Sequence, residues 1–382
     1  MRILITTPTM NGFGVDFIST VAHRLDEYGH KIDVIQFSGT NKSKKFDVEE
    51  ILVSRTLDER LPWNITTNGR WVFNWFLYRR WRRAVRRQLS EEEYDVVISD
   101  RICTTPGTLA AQDRDIPAVV ITTGPAATRY DPTVTSKDKT PVFCEFTLSK
   151  KIQYPFIYSV HRWNRKAFHS AGAVVAVSEF DASITRQTFG IEPTTVYLPV
   201  PLEEYIAEER NPTKVTMLNP RTENKGLDIF LEVAERLPDV PFQIAGTLYD
   251  ESIESEIEQL PNVEHLGWCN DMRQVYCDTK LLLIPSKYEE GGPRIVAEAF
   301  ANGIPVVGSE LGGTPEYIGN AGEVIGSHDS IERWIAAVER FLKDEEYYHE
   351  KSKIAKERSE CFDVEKRARD FEAVLNQIGV NN

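Results

Sequence analysis

Two carboxylates, Glu290 and Glu298, flank a Gly291-Gly292-Pro293 turn, a spacing suited to gripping hydroxyl groups beside an anion. Pro293 suits the first position of a helix, where its missing N–H costs nothing. Gly303 suits the left-handed residue past the helix end, with Pro305 following. Residues 281–285 before the turn and 304–308 after the helix read as buried strands. The segment is then strand, Gly-rich turn, helix, strand. Its helix start offers unbonded amides and the positive end of a dipole to an anion. Glu290 stands at the mouth of the turn and Glu298 a turn or so inside the helix. Both can accept hydrogen bonds from hydroxyls next to a bound phosphate, which outlines a nucleotide-sugar site. A solvated glutamate pair at an ordinary helix start would look the same, so the weight falls on what lies beside it.

A second element in the same half is the turn Asn219-Pro-Arg-Thr-Glu-Asn-Lys-Gly after the strand at 215–218. Arg221 offers a planar fork and Lys225 a mobile ammonium, a pair suited to the two phosphates of a nucleoside diphosphate. Gly312-Gly313-Thr-Pro-Glu316 forms another Gly-rich turn into a helix. In the first half, Gly12 and Gly14 follow the opening strand and let backbone approach a ligand closely. The third glycine and distal acid of a dinucleotide fingerprint are missing there. This loop reads as the floor of a cleft and not as a nicotinamide site.

The elements that must carry these residues alternate between strand and helix. In the second half, strands are predicted at 214–218, 241–246, 262–267, 281–285, 305–308 and 322–326. Between them, Leu227, Phe230, Leu231, Ala234 and Leu237 keep the spacing of one apolar helix face. The first half repeats the plan with strands at 2–7, 31–37, 95–99, 117–122, 172–177 and 194–198. Such alternation predicts an α/β protein of two doubly wound parallel sheets, with ligands collecting in a cleft at their C-terminal strand edges. The expected division is 1–198, 199–360 and a closing helix within 361–382. Residues 131–151 read as a long polar loop, and 331–359 as one charged helix.

At 382 residues, two full cores can form. The net charge of −13 argues against nucleic acid as a partner. Five scattered cysteines suit reduced thiols and no zinc framework. The chain opens as a strand without a signal peptide, and no apolar run reaches the roughly 18–20 residues of a spanning helix. A cytoplasmic protein is the expectation, soluble or peripheral on the membrane.

Residues 290–298 resemble the Glu-x7-Glu signature of retaining family 4 glycosyltransferases of the GT-B fold. Arg221 with Lys225-Gly226, Gly29-His30, Val177-Ser178-Glu179 and Gly313-Thr-Pro-Glu316 resemble further marks of that family. The resemblance implies that Glu290 and the backbone of Gly291 and Gly292 hold the donor sugar. Arg221, Lys225 and the amides near Arg294, Ile295 and Val296 would hold the diphosphate. Glu298 would bind the ribose, and Leu266 and Gly267, before Trp268, would lie by the base. Gly12 and Gly14 would sit near the phosphates from the opposite lobe. A UDP- or GDP-linked donor, a saccharide, glycolipid or lipid-linked acceptor, and neither metal nor cofactor are implied. In one place the chain departs from the pattern. Where family members often carry a histidine facing the transferred sugar, Asp100 and Thr123 stand here, and Asp100 could orient an acceptor hydroxyl. A nucleotide-sugar epimerase, or a binding protein without turnover, are the rival expectations.

Residues 70–89 hold seven arginines and three tryptophans. On a wheel of roughly 100° per residue, Arg79, Arg80, Arg82, Arg83, Arg86 and Arg87 share one side. Leu77, Tyr78, Trp81, Ala84, Val85 and Leu89 share the other, while Trp75 and Phe76 break onto the basic side. An ordinary sheet-covering helix accounts for the apolar side. A basic face with interfacial aromatics also suits an anionic membrane surface.

Overall fold

A computed structural model describes residues 1–8, 16–37, 47–51, 70–124, 148–250, 252–326 and 329–380. The chain divides into two compact units, residues 1–199 with 367–382, and residues 200–366. Gly12, Gly14 and most of the loop expected at 131–151 lie outside the described residues.

The first unit begins with β1 (Arg2–Thr6), α1 (Asp16–Glu27), β2 (Lys31–Phe37) and β3 (Asp47–Ile51). It continues through α2 (Arg70–Glu91), β4 (Val96–Asp100), α3 (Thr104–Gln112) and β5 (Ala118–Thr122). Then come α4 (Leu148–Ser170), β6 (Ala173–Ala176), α5 (Glu179–Phe189) and β7 (Thr194–Thr195). Among the described residues these strands form one parallel sheet in the order β3-β2-β1-β4-β5-β6-β7. Alternation along β1 decides which helix covers which face. Ile3 and Ile5 pack with Phe17, Val21 and Leu25 of α1, whereas Leu4 packs with Leu77, Trp81, Val85 and Leu89 of α2.

The second unit runs through β8 (Lys214–Leu218), α6 (Leu227–Arg236), β9 (Phe242–Ala245), α7 (Ser252–Ile257) and β10 (Val263–His265). It continues with α8 (Arg273–Asp278), β11 (Thr279–Ile284), α9 (Arg294–Ala301) and β12 (Val306–Ser309). It ends with α10 (Thr314–Ile318), β13 (Gly322–Ile325), α11 (Ile331–Lys343) and α12 (Glu345–Ser359). Its parallel sheet has the order β10-β9-β8-β11-β12-β13. In both sheets the winding reverses beside the first strand of the unit, between β1 and β4 and between β8 and β11. Ligands of open α/β sheets gather at that reversal. The last helix, α13 (Val364–Val380), returns to the first unit and packs Phe371, Val374 and Leu375 against the β1–α1 core.

Several elements differ from the sequence reading. β3 escapes it because Asp47-Val-Glu-Glu-Ile is too charged to read as a strand, yet it pairs at the sheet edge, where charge is tolerated. α4 carries Pro155 inside it, which breaks a helical pattern. The single helix expected at 331–359 is two, because Asp344 is non-helical and its carboxylate accepts from the Tyr347 amide to start α12. Trp75 lies on the basic side, where the Arg79 guanidinium sits over its ring at 4.6 Å. It stacks on Trp163 of α4 at 6.0 Å and meets Phe156 edge-on, so interhelical packing explains it. Among the described residues, no helix is long and apolar enough to cross a membrane.

Candidate functional site

Three loops meet at the C-terminal strand edge of the second unit: the turns after β8, β11 and β12. Glycine makes their contact possible. Gly226 has φ +77°, and a Cβ there would lie 1.9 Å from the Pro285 carbonyl oxygen. Gly312 has φ +70°, and its Cβ would come within 2.3 Å of the Glu290 carbonyl oxygen. Any other residue would push the loops apart or strain the left-handed backbone. Two backbone bonds strap the loops together. The Lys287 amide donates to the Asn224 carbonyl at 2.7 Å, and the Gly313 amide to the Glu290 carbonyl at 2.6 Å.

The straps bring the predicted side chains together. Lys225 Nζ donates to Glu290 Oε1 at 3.0 Å, and the Ser286 hydroxyl donates to the same oxygen. Oε2 is thereby left as an acceptor for a hydroxyl. Burial pulls the Lys225 ammonium toward its neutral form, but the Glu290 carboxylate and Tyr288 hydroxyl outweigh it, so its pKa is raised. Lys225 therefore stays cationic at neutral pH. Arg221 lies over the Trp268 ring at 5.2 Å, and Trp268 is 52% exposed at the end of the β10 loop. Leu266 and Gly267 connect that loop to β9, through Leu266 N–H to Ile244 and Gly246 N–H to the Gly267 carbonyl.

The helix start at Arg294 differs from its expected form. Pro293 has ψ 97° and is the N-cap, one residue before the position expected of it. No side chain caps the helix, but the Val296 amide donates to the Pro293 carbonyl at 3.0 Å. That bond engages one amide assigned to the diphosphate, so Arg294 and Ile295 are the better placed of the three. Gly291 is buried and Gly292 half-buried.

Glu298 is buried, and both its oxygens have protein partners. Tyr276 O–H donates to Oε2 at 2.7 Å, and Arg294 Nε ion-pairs with Oε1 at 3.0 Å. Burial, then the Glu298 charge, drives the Tyr276 pKa well up, so this hydroxyl remains a donor. Arg294 lies over the Tyr205 ring at 5.3 Å. Tyr276, Tyr288, Ser286 and Tyr205 were missed from sequence. Ser286 and Tyr288 lie within the Gly-rich segment and were open to notice, whereas no pattern links Tyr276 or Tyr205 to Glu298 and Arg294.

Asp100 belongs to the first unit, at the end of β4 beside its reversal point. It is buried, and desolvation raises its pKa to about 6, with Arg101 opposing at 3.4 Å. Arg101 itself has φ +49°, a strained backbone of the kind that gathers at functional positions.

Two tandem doubly wound parallel sheets, with phosphate-suited loops at one reversal point, define a protein of the GT-B fold. The chain belongs to the glycosyl transferases group 1 and family 4. The glycosyl transferases group 1 model matches residues 203–358 and the Glycosyltransferase Family 4 model residues 15–204. The fold is that of Anabaena Alr3699/HepE, solved in complex with UDP, at TM-score 0.74 and 17% identity over 99% of this chain and 100% of that one. The D-inositol 3-phosphate glycosyltransferase of Mycobacterium marinum is 29% identical over 132 residues, 31% of this chain and 28% of that protein. Sulfoquinovosyl transferase SQD2 of Arabidopsis thaliana is 28% identical over 147 residues, 36% of this chain and 28% of that protein. The matched region thus spans under a third of either relative.

Proposed function

We propose that the chain is a retaining glycosyltransferase that moves a sugar from a UDP- or GDP-linked donor to a saccharide, glycolipid or lipid-linked acceptor, without a metal. The observation that carries this reading is the Lys225–Glu290 pair, fixed at the sheet reversal by Gly226 and Gly312. Arg221, Lys225 and the uncapped start of α9 would bind the diphosphate and stabilise its charge as it departs. Glu290 Oε2 would accept from a hydroxyl of the donor sugar, and Glu298, held by Tyr276 and Arg294, from the ribose. Asp100 would orient the acceptor hydroxyl from the first unit. UDP in the Anabaena relative supports uridine as the first nucleotide to try.

Single-turnover assays with UDP- and GDP-sugars test this reading. Release of nucleoside diphosphate together with a glycosylated acceptor is expected. Conversion of the donor to an isomer that stays nucleotide-linked would replace the reading with an epimerase. Donor binding with neither transfer nor hydrolysis would replace it with a binding protein.

A further inference from the structure

The first unit carries an arginine-lined pocket that the donor reading leaves unused. It has a volume of about 450 Å³ and lies among α2, α3 and α4. Arg79, Arg82, Arg83 and Arg86 line one wall, at the i, i+3, i+4 and i+7 spacing that aligns side chains along one helix stripe. Thr105 and Trp163 contribute from the other helices.

The charges in this wall are unbalanced. Asp113 makes a two-point contact with Arg82, at 2.6 and 3.0 Å, and a looser one with Arg86 at 3.5 Å. Among the described residues it is the carboxylate that pairs with this group, so four guanidinium groups face one negative charge. Arg79 lies over Trp75 at 4.6 Å, and Trp75 stacks on Trp163, which fixes the plane of the pocket's aromatic wall. A purely solvated arginine face would spread its charges outward. Here Arg82 is half-buried and Arg79, Arg83 and Arg86 are exposed, and the four border an open volume within the roughly 300–1,000 Å³ of small-ligand sites. Guanidinium forks match phosphate oxygens in pairs. Beside the pocket, Phe76 meets Trp75 edge-on and is 56% exposed. Ile152 and Leu148, one and two turns before Phe156 on α4, are exposed as well.

We propose that this pocket binds a phosphate ester whose attached ring or chain lies against Trp163. A phospholipid headgroup and a soluble organic phosphate share that chemistry. The exposed Phe76, Ile152 and Leu148 would receive the chains of the former.

The test uses the full chain, phenyl phosphate as the soluble probe in calorimetry, and co-sedimentation with phosphatidylcholine vesicles with or without phosphatidylglycerol. The variant Arg79→Gln/Arg83→Gln removes two guanidinium groups that do not pair with Asp113, and circular dichroism checks its fold. It should weaken binding by about 10-fold or more, as expected for lost charge-assisted bonds. Asp113→Asn, which releases Arg82 and Arg86, should tighten it. Phenyl phosphate binding that depends on Arg79 and Arg83 should persist in Arg221→Ala/Lys225→Ala, which separates this site from the donor loops. Phenyl phosphate binding that depends on Arg79 and Arg83 supports the pocket with a soluble source. Such dependence for phosphatidylglycerol vesicles alone supports it with a lipid source. Absence of binding to either probe, or affinities unmoved in both pocket variants, overturns it.

Discussion

At the scale of single residues, Glu290 holds an unequal pair of oxygens. Lys225 and Ser286 both donate to Oε1, which orients the carboxylate and leaves the other oxygen for a ligand. Glu290→Gln keeps the shape but removes the charge that Lys225 faces. Transfer should fall by about 100-fold or more, the scale of one transition-state contact, while UDP affinity measured by calorimetry changes little. Equal losses in both would mean that Glu290 serves the ground state alone. Asp100 makes a prediction with a definite sign. Its folded pKa of about 6 lies above its ordinary 3.8, so the native state holds this proton to higher pH than the unfolded chain. Stability contributed at this site is therefore lost as pH rises from about 4 to 6. Asp100→Asn should stabilise the protein at pH 7 by about 1–3 kcal/mol, with the gain shrinking as pH falls toward 4 in denaturant melts. If Asp100 orients the acceptor as an anion, transfer should also decline as pH falls through about 6.

At the scale of elements, the site depends on loops held at less than side-chain distance. Gly312→Ala would drive a methyl group into the Glu290 backbone and strain a left-handed residue. The expected cost is about 1–3 kcal/mol, read as a lower Tm together with weakened donor binding. Tyr276→Phe should leave Glu298 buried with one partner fewer, at a cost of about 1–3 kcal/mol in thermal or urea unfolding. These elements were legible in sequence to different degrees. The β8, β11 and α9 segments were readable because apolar runs, Gly-rich turns and a closing Gly303 all agree locally. The placement of Arg221, Lys225, Glu290 and Glu298 on these turns was readable for the same reason, as each sits at a fixed offset from such a turn. Tyr276 was not, because its bond to Glu298 joins two helices across 22 positions of sequence. β3 and α4 were hidden by charge and by Pro155. Trp75 falls on the basic side as the wheel places it, but a wheel sees one helix and not the neighbouring Trp163 that packs on it.

At the scale of the molecule, two units use the same winding and reverse it beside their first strands. α13 belongs to the first unit's core through Phe371, Val374 and Leu375. Ending the chain after Asp363 should uncover Phe17 and β1 and destabilise that unit by about 5 kcal/mol or more, given roughly 2–3 kcal/mol per buried large side chain. Limited proteolysis should then degrade the first unit ahead of the second. The second unit's reversal point is the proposed seat of a nucleoside diphosphate. Calorimetry of the full chain with UDP and GDP, with and without Arg221→Ala/Lys225→Ala, tests that most directly. Saturable binding of one nucleotide by the wild type, lost in the double variant, is the predicted result; binding of neither, or affinity unchanged by the double substitution, would contradict it.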